Sequence, residues 1–139
     1  AKNPFLFKRA LYFPFEINKE ILHQTAAILK EYNDFETFCK RNAQTFTYNC
    51  NIIQSYWVEK ENELQYIVEA NRFLRGMVRA LVGTQLQVAR GRISLQDFRS
   101  IIESKDCTKA DFSVTGNGLY LEKISYPENT LVKIKGRRD

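Results

Sequence analysis

The sequence predicts an α+β domain: an antiparallel sheet with helices packed on one face. Three observations predict it. Two stretches of period-two alternation flank the polar turn Lys60-Glu61-Asn62-Glu63, the mark of an antiparallel hairpin. Apolar residues recur at helical spacing over residues 72–89. The elements follow in the order strand, helix, strand, strand, helix, helix, strand, which suits helices layered on a sheet.

Each element has a local reason. A short apolar strand is expected over residues 10–15. Asn18 can cap a helix running to about Tyr32, with Ile21, Leu22, Thr25, Ile28 and Leu29 on one side. Asn33-Asp34 ends it and starts a short helical turn carrying Phe35 and Phe38. From Gln44 to Val58 the period changes to two. Phe46, Tyr48, Cys50 and Ile52 alternate with polar residues, then Ile53, Ser55 and Trp57 take over the parity, which predicts a bulge near Ile52 and Ile53. Leu64, Tyr66 and Val68 form one face of the next strand. The helix over 72–89 presents Leu74, Met77, Val78, Leu81, Gln85 and Val88 as a broad, mostly apolar face. Ser94 with Asp97 marks the start of a shorter helix reaching Ser104. Asn117-Gly118 reads as a turn before a strand from Leu119 to Tyr126, stopped by Pro127.

Composition fits one ordinary domain. The 139 residues are 44% hydrophobic and 27% charged, and ten Phe, seven Tyr and one Trp supply core material. Three Pro and six Gly argue against disorder. No apolar run approaches the roughly 20 residues of a membrane span, and no signal-peptide pattern opens the chain. A start at Ala1 without Met is expected of a cut piece rather than a native N-terminus. Cys39, Cys50 and Cys107 are an odd count without C-x-x-C spacing, and the single His23 cannot complete a zinc site with them. They read as reduced thiols of a cytoplasmic protein, and His23 as structural or solvent-facing. Ser-His-Asp and Cys-His chemistry lack support.

The net charge of +5 is unevenly spread. Arg72, Arg75, Arg79, Arg90 and Arg92 fall between Asn71 and Arg92 with no acidic residue among them. Lys133, Lys135, Arg137 and Arg138 form a second basic patch in the tail. Such clustering is the footprint of a polyanion partner, or else a solvated helix face. Winding residues 72–83 as helix puts Arg72, Arg75, Gly76, Arg79 and Gly83 along one side, where guanidinium forks can meet phosphates or a carboxylate. Two glycines inside a helix each cost about 1 kcal/mol against alanine. Close approach of another backbone or of RNA would explain them, and so would tight packing on the sheet.

The run Glu69-Ala70-Asn71-Arg72-Phe73-Leu74-Arg75-Gly76-Met77-Val78-Arg79, continued by Ala80-Leu81-Val82-Gly83-Thr84, resembles the A-N-x-F-L-x-x-M-V-R-x-x-V-G signature of TruA-type tRNA pseudouridine synthases. Asp34-Phe35 with Phe38 resembles their D-F-x-x-F element. Lys105-Asp106 sits where the family has K-D-R, with Cys107 in place of the arginine. Gly118-Leu119-Tyr120-Leu121 with Tyr126-Pro127 resembles the closing G-L-Y-L strand. The resemblance implies half of a pseudouridine synthase fold. It implies isomerisation of uridine to pseudouridine at positions 38, 39 and 40 of the tRNA anticodon stem-loop, by a cytoplasmic homodimer without metal or organic cofactor. An arginine that pairs with the catalytic aspartate maps onto Arg79. Arg72, Arg75, Arg90 and Arg92 become candidates for RNA contact, and Leu119 and Leu121 for the wall of the base pocket. The aspartate's G-R-T-D-x-G-V-H motif does not occur in these residues, and Gly136-Arg137-Arg138-Asp139 only echoes it. This chain therefore reads as the C-terminal half, expected to be inactive alone. The alternative is a non-catalytic RNA-binding module. A DNA-binding helix-turn-helix fits less well, because the basic helix follows a hairpin.

Overall fold

The computed structural model describes residues 4–11, 16–61, 63–114 and 119–125, with residues 11 and 119–125 described by their backbone. Strands β1 (Phe5–Leu11), β2 (Ile52–Glu59), β3 (Leu64–Ala70) and β4 (Leu119–Ser125) form a four-stranded antiparallel sheet in the order β2-β3-β1-β4. Helices α1 (Lys19–Leu29), α2 (Met77–Ala89) and α3 (Leu95–Ser104) accompany it, with 3-10 turns at Glu36–Phe38 and Cys107–Lys109. The α+β class and the element order are as the sequence predicts.

Locally coded features are where the sequence puts them. The Asn18 side chain accepts the Ile21 N–H at 3.1 Å, and Ser94 accepts that of Asp97 at 3.0 Å. The β2–β3 register slips between Ile52 and Gln54, at the expected bulge. Leu64, Tyr66 and Val68 point into the core with Ser55 and Trp57, whereas Ile53 is 53% exposed. The hairpin closes through Lys60 N–H to the Glu63 carbonyl at 2.9 Å.

One buried amide joins the layers. Gln85 of α2 is fully buried; its carbonyl accepts from Trp57 Nε1 of β2 and Thr25 Oγ1 of α1, each at 2.9 Å. Its amide donates to the Leu81 carbonyl at 3.1 Å, so both ends are satisfied. Trp57 leans on Tyr66 with ring centroids 4.9 Å apart, and burial raises the Tyr66 pKa.

Three expectations are corrected. The first strand covers Phe5–Leu11 rather than residues 10–15. Buried Arg9 stands opposite Tyr66 at a core-facing position, which hides the alternation from a hydropathy reading. Second, residues 44–51 form no strand apart from one bridge, Asp34 to Asn49. Their backbone groups bond elsewhere: the Tyr48 carbonyl accepts from Phe35 N–H, and Cys50 N–H donates to the Asn33 carbonyl. Third, α2 begins at Met77, not near Arg72. Gly76 precedes it in the left-handed region with φ 71°, so Arg72 and Arg75 lie before the helix and share no helical face with Arg79. Moreover, α2 is buried almost all round instead of having one apolar stripe: among its residues only Arg79 and Gln87 keep partial solvent access.

Candidate functional site

The arginine-rich motif folds as a bent lead-in, 71–76, followed by α2. Each apolar member of the lead-in has a packing role. Phe73 meets Phe7 of β1 edge-to-face at 4.7 Å, and Leu74 is buried. Asn71 accepts the Asn51 N–H at 2.7 Å and donates its own N–H to the Asn51 carbonyl. Arg72 reaches back to the 45–49 loop. Its guanidinium donates to Thr47 O and Oγ1, Asn49 O and Thr45 Oγ1 over 3.0–3.2 Å. The Arg75 side chain is exposed, while its carbonyl accepts Lys40 N–H at 2.8 Å.

On α2 the situation reverses. Arg79 lies between Gly76 and Gly83 in the chain, and both glycines closely approach residues 111–114. A Cβ at Gly83 would come within 2.3 Å of the Asp111 carbonyl oxygen, so this glycine exists for the close approach of another backbone. Asp111 fastens that segment. Its N–H donates to Thr84 Oγ1 at 3.0 Å, and its carboxylate accepts from Gln87 Nε2 and from Ser113 N–H at 2.8 Å. Burial pushes the Asp111 pKa up, but the Ser113 and Gln87 hydrogen bonds outweigh it and hold the carboxyl below its ordinary range. Of the two partly exposed α2 residues, Gln87 is thus committed to Asp111. Arg79 has no such bond at Nε, which is shut off from solvent and meets no hydrogen-bond partner among the described residues. A buried donor left in this state costs about 1–3 kcal/mol, and nearly all such groups in folded proteins have partners.

Arg90 ends α2, with its N–H donating to the Leu86 carbonyl at 2.9 Å, and its charge also favours the Asp111 carboxylate. Arg92 is exposed just beyond. Leu121 and Leu119 pair with Arg9 and Leu11 across the β1–β4 ladder, and their side chains lie outside the described residues. The Asn117-Gly118 turn, Tyr126, Pro127 and the basic tail also lie outside them. Lys105 Nζ meets Asp34 Oδ2 at 3.2 Å, joining two segments singled out by the resemblance. Burial raises the thiol pKa values of Cys39 and, to about 11, Cys50, which suits packing rather than nucleophilic roles. His23 Nε2 lies 2.9 Å from Glu59 Oε2 at the surface. No described helix is long and apolar enough to cross a membrane.

Sequence reasoning missed two residues here. Asp111 could have been found from Asp111-Phe112-Ser113, the spacing of a side-chain turn closed onto the backbone two residues on. Phe46, fully exposed between the two Arg72-bound threonines, was read as one member of a strand.

A family model described as tRNA pseudouridine synthase matches residues 32–127, which include α2 and its lead-in. The chain is 39% identical over 127 residues to tRNA pseudouridine synthase A of Parabacteroides distasonis, covering 91% of this chain and 50% of that protein. For the Porphyromonas gingivalis protein of the same name the identity is 38% over 130 residues, covering 92% and 52%. For that of Staphylococcus aureus strain MW2 it is 31% over 132 residues, covering 95% and 49%. The chain spans about half the length of the curated relatives it matches. It belongs to the tRNA pseudouridine synthase family.

Proposed function

We propose that this chain is the RNA-handling half of a tRNA pseudouridine synthase, and that Arg79 is the cationic partner of a catalytic aspartate supplied by the other half. The observation that carries this reading is the buried Arg79 Nε, which lacks an acceptor among the described residues, whereas Thr84 and Gln87 of the same helix are both bonded to Asp111. A carboxylate that must stay ionised in an apolar pocket needs a permanently charged, planar donor, and arginine supplies one. The reaction is isomerisation of uridine to pseudouridine at positions 38, 39 and 40 of the anticodon stem-loop. Arg75, Arg90 and Arg92 contact RNA phosphates in this reading, and Arg72 supports them by shaping the 45–49 loop. Leu119 and Leu121 of β4 wall the base pocket. The parent protein is a cytoplasmic homodimer.

The test is incubation of a uridine-labelled anticodon stem-loop with the parent protein and with this chain alone, scored for pseudouridine. The parent forms product and this chain forms none. Product from this chain alone would place the attacking carboxylate among its own aspartates and overturn the division of labour.

A further inference from the structure

Large hydrophobic side chains exposed among the described residues are Phe46 at 104%, Ile53 at 53% and Tyr56 at 41%. Phe46 stands out for how it is held as well as for its exposure. Its neighbours Thr45 and Thr47 both bond the Arg72 guanidinium, and Thr45 Oγ1 donates to the Thr47 carbonyl at 2.7 Å. The Tyr48 carbonyl then fastens the chain to Phe35 N–H. An aromatic ring is thus projected into solvent from a braced loop, so little ordering entropy remains to be lost when something binds it.

The surroundings indicate what binds. Beside the loop runs a groove of about 180 Å³, lined by Glu36, Lys40, Arg41, Tyr48 and Lys105 among others. Exposed Arg75 joins the same region through its carbonyl bond to Lys40. Gln44, Thr45 and Thr47, the chain neighbours of Phe46, are polar, and the other large hydrophobics exposed among the described residues, Ile53 and Tyr56, belong to β2 rather than to this loop. An aromatic platform beside a cationic track is the combination that binds single-stranded nucleic acid.

We propose that Phe46 stacks on an unpaired nucleobase of the bound RNA, with the Lys40–Arg41 groove following the adjoining backbone. This rests on the RNA-binding reading above and adds a contact outside the arginine motif. Unpaired loop bases offer the open faces that a paired stem does not.

The experiment uses this chain with two RNAs, an anticodon stem-loop and a fully paired duplex of equal length. Phe46→Ala should weaken stem-loop binding about 5- to 150-fold and leave duplex binding and the salt slope unchanged. Phe46→Trp should retain affinity, and its emission should be quenched by the stem-loop, with native Trp57 buried as an internal reference. If the wild type binds RNA with a steep salt dependence and Phe46→Ala binds equally well, this inference fails and the RNA reading stands. If the wild type binds neither RNA at low salt, the RNA reading itself fails and takes this inference with it. Self-association in sedimentation velocity that Phe46→Ala abolishes, without loss of RNA affinity, would assign the ring to an interface between copies and overturn the proposal.

Discussion

Arg72 and Arg79 lie seven positions apart in one motif, yet the chain treats them in opposite ways. Arg72 makes four hydrogen bonds to the 45–49 loop, all to neutral oxygens. Arg79 sits on a helix buried almost all round and has a buried Nε with no acceptor among the described residues. The first guanidinium is engaged in holding a loop, whereas the Nε of the second meets no acceptor among the described residues. A basic cluster is therefore not one functional unit. Net charge treats its arginines alike, whereas their hydrogen bonds separate Arg72, which braces a loop, from Arg79, whose Nε meets no acceptor among the described residues.

The packing of α2 beside Arg79 in the chain, at Gly83, is the sharpest place to break this contrast. Gly83→Ala gains about 1 kcal/mol of helix propensity but drives a Cβ into the Asp111 carbonyl, an overpacking cost of about 1–3 kcal/mol or more. The net result is a lower denaturant midpoint at unchanged m-value, with displacement of residues 111–114 visible in their amide shifts. A stabilised Gly83→Ala would mean that the approach of residues 111–114 to α2 is loose.

Arg72→Ala should cost about 1 kcal/mol, because its acceptors are exposed enough for water to replace it. The informative readout is RNA binding: affinity falls because the Phe46 loop loosens, while the slope of log affinity against log salt is unchanged. A slope reduced by about one would make Arg72 a phosphate contact as well.

The two regions also differ in their response to acid. Asp111 has a depressed folded pKa, so its contribution is complete above the unfolded value of about 3.9 and is lost as pH falls through the folded value. The Arg72 clamp has no titratable acceptor. On acidification below about pH 4, hydrogen exchange should therefore accelerate at residues 111–114 before it does at 45–49, and Asp111→Asn should remove the difference. Equal acid sensitivity of both segments would contradict the assignment.

What was legible in the sequence was local. Asn18, Ser94 and the parity switch at Ile52 and Ile53 act within a few residues, so the two caps and the bulge could be read before any tertiary contact was known. What was not legible depends on distant partners. The period-two pattern over 44–51 is real, but Arg72, Asn33 and Phe35 take hydrogen bonds that a strand would have needed. The start of α2 could not be read from apolar spacing, because Gly76 adopts its left-handed conformation against Phe112 and Lys40. Arg79 was named from the motif resemblance and from its apolar neighbours. That its Nε is buried without an acceptor among the described residues is a fact of packing.

The central claim is that Arg79 exists for a carboxylate from the other half of the enzyme. Arg79→Lys in the parent protein keeps the charge and removes the planar fork, so measuring kcat and stem-loop affinity separately tests it most directly. The account predicts a kcat lowered by about two orders of magnitude or more, the scale of losing one preorganised charged hydrogen bond, with RNA affinity nearly unchanged. Normal turnover, or a loss explained wholly by weaker RNA binding, would make Arg79 one more phosphate contact and contradict the claim.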